Sequence, residues 1–228
     1  MVAKKNNCLR SFATALGLAA TTCFAVLSAH AVESKTADAK PVEVKSVENV
    51  DMAKLLDLGK NTDMVEGNAD APVTIVEYAS LTCGHCGDFY NKTLPEIYEK
   101  YIKTGKAKLV FREFAYDPRS QAGYMLARCV AKDRYFPMIQ VLFEKQMEWA
   151  AAQDALPPLK KIASMAGLDD KAFEECLKNQ SILDEVKNSF ERGKEFGVSS
   201  TPTFFINGKK YEGALSVEEM SSIIDSFL

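Results

Sequence analysis

The segment Pro72-Val73-Thr74-Ile75-Val76-Glu77-Tyr78-Ala79 is nearly continuously apolar and β-branched, the pattern of a central strand buried on both faces. The period then changes. Phe89, Tyr90, Leu94, Ile97, Tyr98 and Tyr101 recur at helical spacing, and Pro95 within that run predicts a kink, because proline lacks the N–H of an interior helical position. Residues 109–114 (Leu-Val-Phe-Arg-Glu-Phe) follow Gly105 as a second strand, completing a strand-helix-strand unit. From about residue 117 to 196 the pattern holds only amphipathic helices, with apolar stripes such as Met138, Ile139, Leu142 and Phe143 or Leu159, Ile162 and Ala163. Strand character returns at Thr203-Phe204-Phe205-Ile206, where Asn207-Gly208 is a two-residue hairpin signal leading to Lys210-Tyr211-Glu212-Gly213. Ser216 followed by Glu219 predicts a capping box that opens a C-terminal helix over Met220, Ile223, Ile224 and Phe227.

Ahead of the first strand, Val50, Ala53, Leu55, Leu56 and Leu58 predict a short helix ending at Gly59. Residues 32–49 are rich in Lys, Glu, Ser, Ala and Val with Pro41 and no aromatic residue, so they are expected to form a mobile or loosely docked arm. Earlier still, Lys4, Lys5 and Arg10 precede an apolar stretch from Phe12 to about Ser28 and a small-residue site at Ala29-His30-Ala31. This is the pattern of a secretory signal peptide over residues 1–31. The stretch is interrupted by Thr14, Thr21 and Thr22 and is short for a membrane span.

Export changes how the charge and the cysteines are read. The 228-residue chain carries a formal net charge of −3, and losing the leader's three basic residues takes it to −6, so nucleic acid is excluded as a partner. Of six cysteines, Cys8 and Cys23 leave with the leader. Cys83, Cys86, Cys129 and Cys176 remain, an even number suited to an oxidising compartment.

Cys83-Gly84-His85-Cys86 joins the central strand to the helical run. A tetrahedral zinc site needs about four ligands, whereas the exported chain has no second C-x-x-C and keeps only His85, so no metal is expected. A redox dithiol fits better. One thiol at the first turn of a helix gains from unpaired N–H groups and the helix dipole, and the second lies one turn on, where it can close the disulfide. Cys83 and Cys86 meet that demand, Gly84 permits the tight approach, and His85 is expected to favour the Cys83 thiolate.

Far along the chain, Thr201-Pro202-Thr203 places a proline at the entry to an aromatic strand. The C-G-H-C motif after a strand, paired with T-P-T before a later strand, resembles the thioredoxin superfamily. The helical insertion between them, with residues 71–78 leading into the motif, resembles its DsbA-like branch of exported bacterial thiol oxidoreductases, over roughly residues 65–228. The resemblance implies an α/β thioredoxin fold with a large all-helical insertion: a thioredoxin domain over 63–116 and 197–228, the insertion over 117–196, and an N-terminal arm with a short helix over 32–62. It also implies a cis bond at Thr201-Pro202 beside the cysteines, where the Thr201 backbone can pair with a substrate peptide. Glu77, six residues before Cys83, occupies the place where such proteins keep a buried carboxylate able to relay a proton to or from Cys86. A strand-end charge facing water is the other reading of that residue.

Cys129 and Cys176 fall on the apolar stripes of two expected helices. That placement suits two buried free thiols, while the oxidising compartment favours a structural disulfide, and some DsbA-like proteins carry a second bridge in this region. The Gly-His dipeptide resembles protein disulfide isomerases of the eukaryotic secretory pathway, where many DsbA proteins have Pro-His.

The expected activity is therefore a periplasmic thiol:disulfide oxidoreductase that donates its Cys83–Cys86 disulfide to reduced, newly exported proteins and needs no cofactor. The family implies reoxidation by a membrane quinone-linked partner of the DsbB type, and a monomer is expected. Two alternatives stand beside it. One is a disulfide isomerase or reductase kept reduced, which Thr201 before the proline supports. The other is a redox-inert or copper-binding periplasmic chaperone, against which stands the lack of Met or His ligands near Cys83.

Overall fold

Strand β3 (Val73–Ala79) is buried along its whole length, as its unbroken apolar run demands. The computed structural model describes residues 44–57 and 62–228; the expected leader and the first part of the arm lie outside them. β3 pairs in parallel with β4 (Ala107–Glu113) and antiparallel with β5 (Thr203–Ile206). From β5 the chain turns through Asn207 (φ 45°) and Gly208 (φ 89°) into β6 (Lys209–Glu212). Two consecutive positive φ values are what a tight hairpin needs and what Asn-Gly supplies.

Two short strands escape the sequence reading. β1 (Glu48–Asn49) lies antiparallel to β6, and β2 (Met64–Gly67) antiparallel to β4, giving the order β1-β6-β5-β3-β4-β2. A two-residue strand and a four-residue edge strand with alternate exposure carry no apolar run to announce them. The end of the arm is thereby tied to the sheet, with Val47 N–H donating to Lys210 O and Val50 N–H to Gly208 O. Helix α1 (Met52–Leu56) follows, capped by Asp51 and seated by the buried Leu55.

After β3 comes α2 (Gly84–Asp88), which continues as a π-helical turn (Phe89–Thr93), an α-helical turn (Leu94–Ile97) and a second π-helical turn (Tyr98–Ile102). The kink expected at Pro95 takes this form. Pro95 directly follows the first π-helical turn, where Leu94 N–H reaches back five residues to Phe89 O instead of four. Between β4 and β5 run α3 (Pro118–Cys129), α4 (Tyr135–Glu144), α5 (Gln146–Trp149), α6 (Leu156–Met165), α7 (Asp170–Leu177) and α8 (Gln180–Glu195). Helix α9 (Val217–Asp225) closes the chain with both bonds of the Ser216/Glu219 capping box.

The sheet is covered on both sides. One face carries Ile75, Leu109, Phe111, Phe204 and Ile206 in a core shared with α2 and the helices that follow β4. The other carries Val76, Tyr78, Val110 and Phe205 with Leu55, Phe114 and Val198. Buried charges brace each layer. The Arg112 guanidinium donates to both Asp63 carboxylate oxygens at 2.8 and 3.0 Å, to Leu55 O and to the Tyr78 hydroxyl. Arg128 of α3 grips Glu113 of β4 through two bonds, and Tyr135 donates to the same carboxylate. A disulfide joins Cys129 at the end of α3 to Cys176 of α7, with Cα atoms 6.1 Å apart. The alternative of two free thiols is thus not realised.

Candidate active site

The dithiol lies where β3 ends. Cys83 is the N-cap of α2 in an extended conformation (φ −81°, ψ 120°), so the free N–H groups of the first helical turn point toward its side chain. Its sulfur is half-buried, and its thiol donates to the carbonyl oxygen of Thr201 at 3.2 Å. Cys86, one turn later, is fully buried. No disulfide joins the two.

Their surroundings drive the two thiols in opposite directions. A hydrogen bond from the Cys86 thiol is the largest influence on Cys83; with further bonds from the Thr201 side chain and the backbone of Cys86 and His85, it outweighs partial burial and holds the Cys83 pKa at about 5. Burial pushes the Cys86 thiol far above its ordinary value, and the Cys83 sulfur and Glu77 add to that. At neutral pH the pair is one accessible thiolate beside one protonated, sheltered thiol.

Glu77 is completely buried on β3, and its neighbours across the sheet are Phe111 and Phe204. Neither carboxyl oxygen has a protein partner, nor does the buried Tyr90 hydroxyl. Burial raises the Glu77 pKa well above the ordinary carboxylate value and so favours its protonated form. The alternative of a water-facing strand-end charge is not what the fold places here.

His85 is exposed. It acts on Cys83 through its backbone N–H, while its imidazole, after Lys92, helps to lower the Asp88 pKa. The Thr201-Pro202 bond is cis, and Pro202 is buried with its carbonyl accepting from Gly213 N–H. Residues 77, 83, 85, 86, 201 and 202 are therefore gathered at one end of the sheet. Cys129 and Cys176 belong to the helical layer instead, joined to each other.

Three residues that hold the cysteine loop are not evident in the sequence. Ser120 Oγ accepts from Leu81 N–H at 3.2 Å, the Tyr124 hydroxyl donates to Ala79 O at 2.6 Å, and Gln146 Nε2 donates to the carbonyls of Leu81 and Cys83. All three come from helices beyond β4. Asp117 caps α3 and its carboxylate also accepts from Thr82 Oγ1, but nothing local in the sequence ties these residues to the dithiol.

The thioredoxin family profile matches residues 59–226. A protein-disulfide oxidoreductase by name from Rickettsia bellii is 30% identical over 167 residues, 72% of this chain and 63% of that protein. A counterpart in Rickettsia felis is 30% identical over 200 residues, 86% of this chain and 67% of its own. The chain spans only about three fifths of the first such relatives, 63% of one and 61% of another. Among solved structures, Wolbachia pipientis alpha-DsbA1 superposes with a TM-score of 0.71 at 31% identity, covering 76% of this chain and 94% of that one. BdbD of Bacillus subtilis, 20% identical with a TM-score of 0.68, shares the fold. With an α/β sheet interrupted by helices, a helix-capping dithiol and these relatives, the chain belongs to the thioredoxin family, in its DsbA-like branch of thiol:disulfide oxidoreductases.

Proposed function

We propose that this protein oxidises pairs of thiols in exported proteins in the periplasm, using a disulfide between Cys83 and Cys86. The observation that carries the reading is the split between the two sulfurs, with Cys83 held at about 5 and Cys86 pushed far up. Stabilising the thiolate stabilises the reduced form, and a stable reduced form makes the disulfide a strong oxidant. In this reading residues 63–116 and 197–228 are the thioredoxin domain, and 117–196 the inserted helical domain.

The steps follow from burial. A substrate thiolate attacks the half-exposed Cys83 sulfur, the Cys83–Cys86 bond breaks, and Cys86 departs with the electron pair. Being buried, that sulfur needs a proton, and the buried Glu77, whose burial favours its protonated form, is the group that would supply one. A second substrate thiolate then attacks the substrate-side sulfur of the mixed disulfide. Cys83 leaves as a thiolate, which its low pKa favours, and the substrate carries away the new disulfide while the protein has gained two electrons. The Thr201 backbone, beside the sulfur and ahead of the cis proline, is in place to pair with the extended peptide. His85 stands exposed at the mouth of the site.

The leader supports a periplasmic location, and the branch supports a quinone-linked DsbB-type reoxidant and a monomer; among the described residues no helix is long and apolar enough to cross a membrane. The test is the equilibrium of Cys83–Cys86 with glutathione, together with the redox state of the pair in freshly isolated periplasm. An oxidase has an oxidising potential and a mainly oxidised pair. A pair found mainly reduced would favour the isomerase or reductase alternative, and failure to exchange at all would favour a redox-inert chaperone.

A further inference from the structure

Gln146 opens α5 in the helical layer, 63 residues beyond Cys83, and is 7% exposed. Its Nε2 donates to Leu81 O at 2.8 Å and to Cys83 O at 2.9 Å. Reversing the amide would set Oε1 against two carbonyl oxygens, so the chemistry itself assigns the nitrogen. On its other side, Oε1 lies 2.7 Å from where a Cβ on Gly87 would stand. The amide is therefore wedged between the loop that carries Cys83 and the turn that carries Cys86. The helix that carries it is pinned as well. Trp149, fully buried, donates its indole N–H to Leu142 O, and Arg119 donates to Ala150 O and Gln153 O.

We propose that Gln146 is a positioning residue of the dithiol: its two bonds hold the start of α2 in the orientation that aims the His85 and Cys86 N–H groups at the Cys83 sulfur, and so favour the reduced form. The inference rests on the oxidoreductase reading and adds a means by which the helical layer sets the oxidising strength of the thioredoxin domain. Those N–H groups are among the influences that lower the Cys83 pKa. Each loses force steeply as its angle to the sulfur opens. The donated hydrogens also draw negative charge from the Cys83 carbonyl, the nearest oxygen covalently tied to the thiolate residue. Bonds of this kind are worth more beside a thiolate than beside a neutral disulfide, because charge-assisted interactions in a partly desolvated site are the stronger ones.

The experiment is the glutathione equilibrium and the pH profile of Cys83 alkylation in Q146L, which keeps the volume and removes the donor, and in Q146E, which sets a carboxyl against the two carbonyls. Q146L is expected to move the equilibrium about three- to tenfold toward the disulfide, the range that one or two weakened hydrogen bonds provide, with the Cys83 pKa rising in step. Q146E should move both further. G87A, whose methyl group displaces the amide, should reproduce the shift and add little in a Q146A background, because both changes release the same clamp. The inference is overturned if the folded variants lose stability equally in both redox forms while the equilibrium and the alkylation profile stay within twofold of the unaltered protein. Additive G87A and Q146A effects also overturn it. Should the unaltered protein fail to exchange with glutathione, the oxidoreductase reading falls, and the alkylation profiles still decide the role of Gln146, since they need only a free Cys83.

Discussion

The Cys83 thiol donates to the Thr201 carbonyl oxygen at 3.2 Å, across 118 residues of intervening chain. The contact brings the reactive sulfur to the backbone that precedes the cis proline. In the reaction proposed above, a peptide pairing with Thr201 would lie beside the sulfur it attacks, so the pairing would supply position as well as reactivity.

The Cys83 thiolate should be half-formed near pH 5, read from the pH dependence of alkylation by iodoacetamide. C86A should raise that midpoint, because the Cys86 thiol is the largest of the groups that lower it. An unchanged midpoint in C86A would show that the helix start alone stabilises the thiolate.

Reduction should stabilise the fold. The folded Cys83 pKa lies below that of a free thiol, so its contribution is fully present above the unfolded value of 9.0 and is lost as pH falls through about 5. The oxidised protein has no Cys83 thiolate and gains nothing from this source. Paired melts should therefore show the reduced form ahead by about 1 kcal/mol or more at pH 8, after discounting the half-exposed sulfur for solvent screening, a gain of roughly 2–4 °C. The gap should close toward pH 5. An oxidised form that melts higher at pH 8 would contradict the depressed pKa.

Glu77 is held at a cost to stability, since both its oxygens are buried without a protein partner. E77L should raise stability by about 1–3 kcal/mol in denaturant titrations. The advantage should grow as pH rises above the ordinary carboxylate value of 4.5, because from there the unfolded carboxyl ionises while the buried one is held back, and it should level off once the raised folded pKa is passed. The same change should slow release of Cys86 from the disulfide in stopped-flow assays. A variant both less stable and equally fast would remove Glu77 from the chemistry.

Arg112 and Asp63 test the cost of a buried pair. D63A leaves a guanidinium that is 3% exposed without its carboxylate and should cost about 3–5 kcal/mol. R112M/D63L, which replaces both charges by apolar chains, should cost clearly less. The two values come from urea denaturation, and equal losses would show that packing rather than charge holds α1 to the sheet.

Removing the Cys129–Cys176 bridge as C129A/C176A should cost about 4 kcal/mol on chain entropy, given a separation of 47 residues. Because the bridge lies in the helical layer away from Cys83, the glutathione equilibrium should stay unchanged. A shift there would mean that the layer transmits strain to the dithiol.

Much of the scaffold is visible in local pattern, since the forces that set it are local. The unbroken run of β3 requires burial on both faces, Asn207-Gly208 supplies the positive φ values of a tight turn, and Ser216 with Glu219 closes its own capping box. The two edge strands were hidden because strands of two and four residues draw their stability from the neighbour they pair with. For Ser120, Tyr124 and Gln146 the missing information is distance: each meets the cysteine loop only after the chain has folded back over 39 to 65 residues.

The sequence by itself determined that a dithiol would stand at a helix start after a buried strand, because spacing and helix geometry decide that within a single turn. It also carried the Thr201-Pro202-Thr203 motif and an even set of four cysteines after the expected leader. Which sulfur ionises is another matter. Cys83 and Cys86 are the same chemical group, and only the packed structure surrounds one with the Cys86 thiol, the Thr201 side chain and the first-turn N–H groups while sealing the other near an unpartnered Glu77. Desolvation and long-range hydrogen bonds set that difference, and both exist only once distant segments have come together.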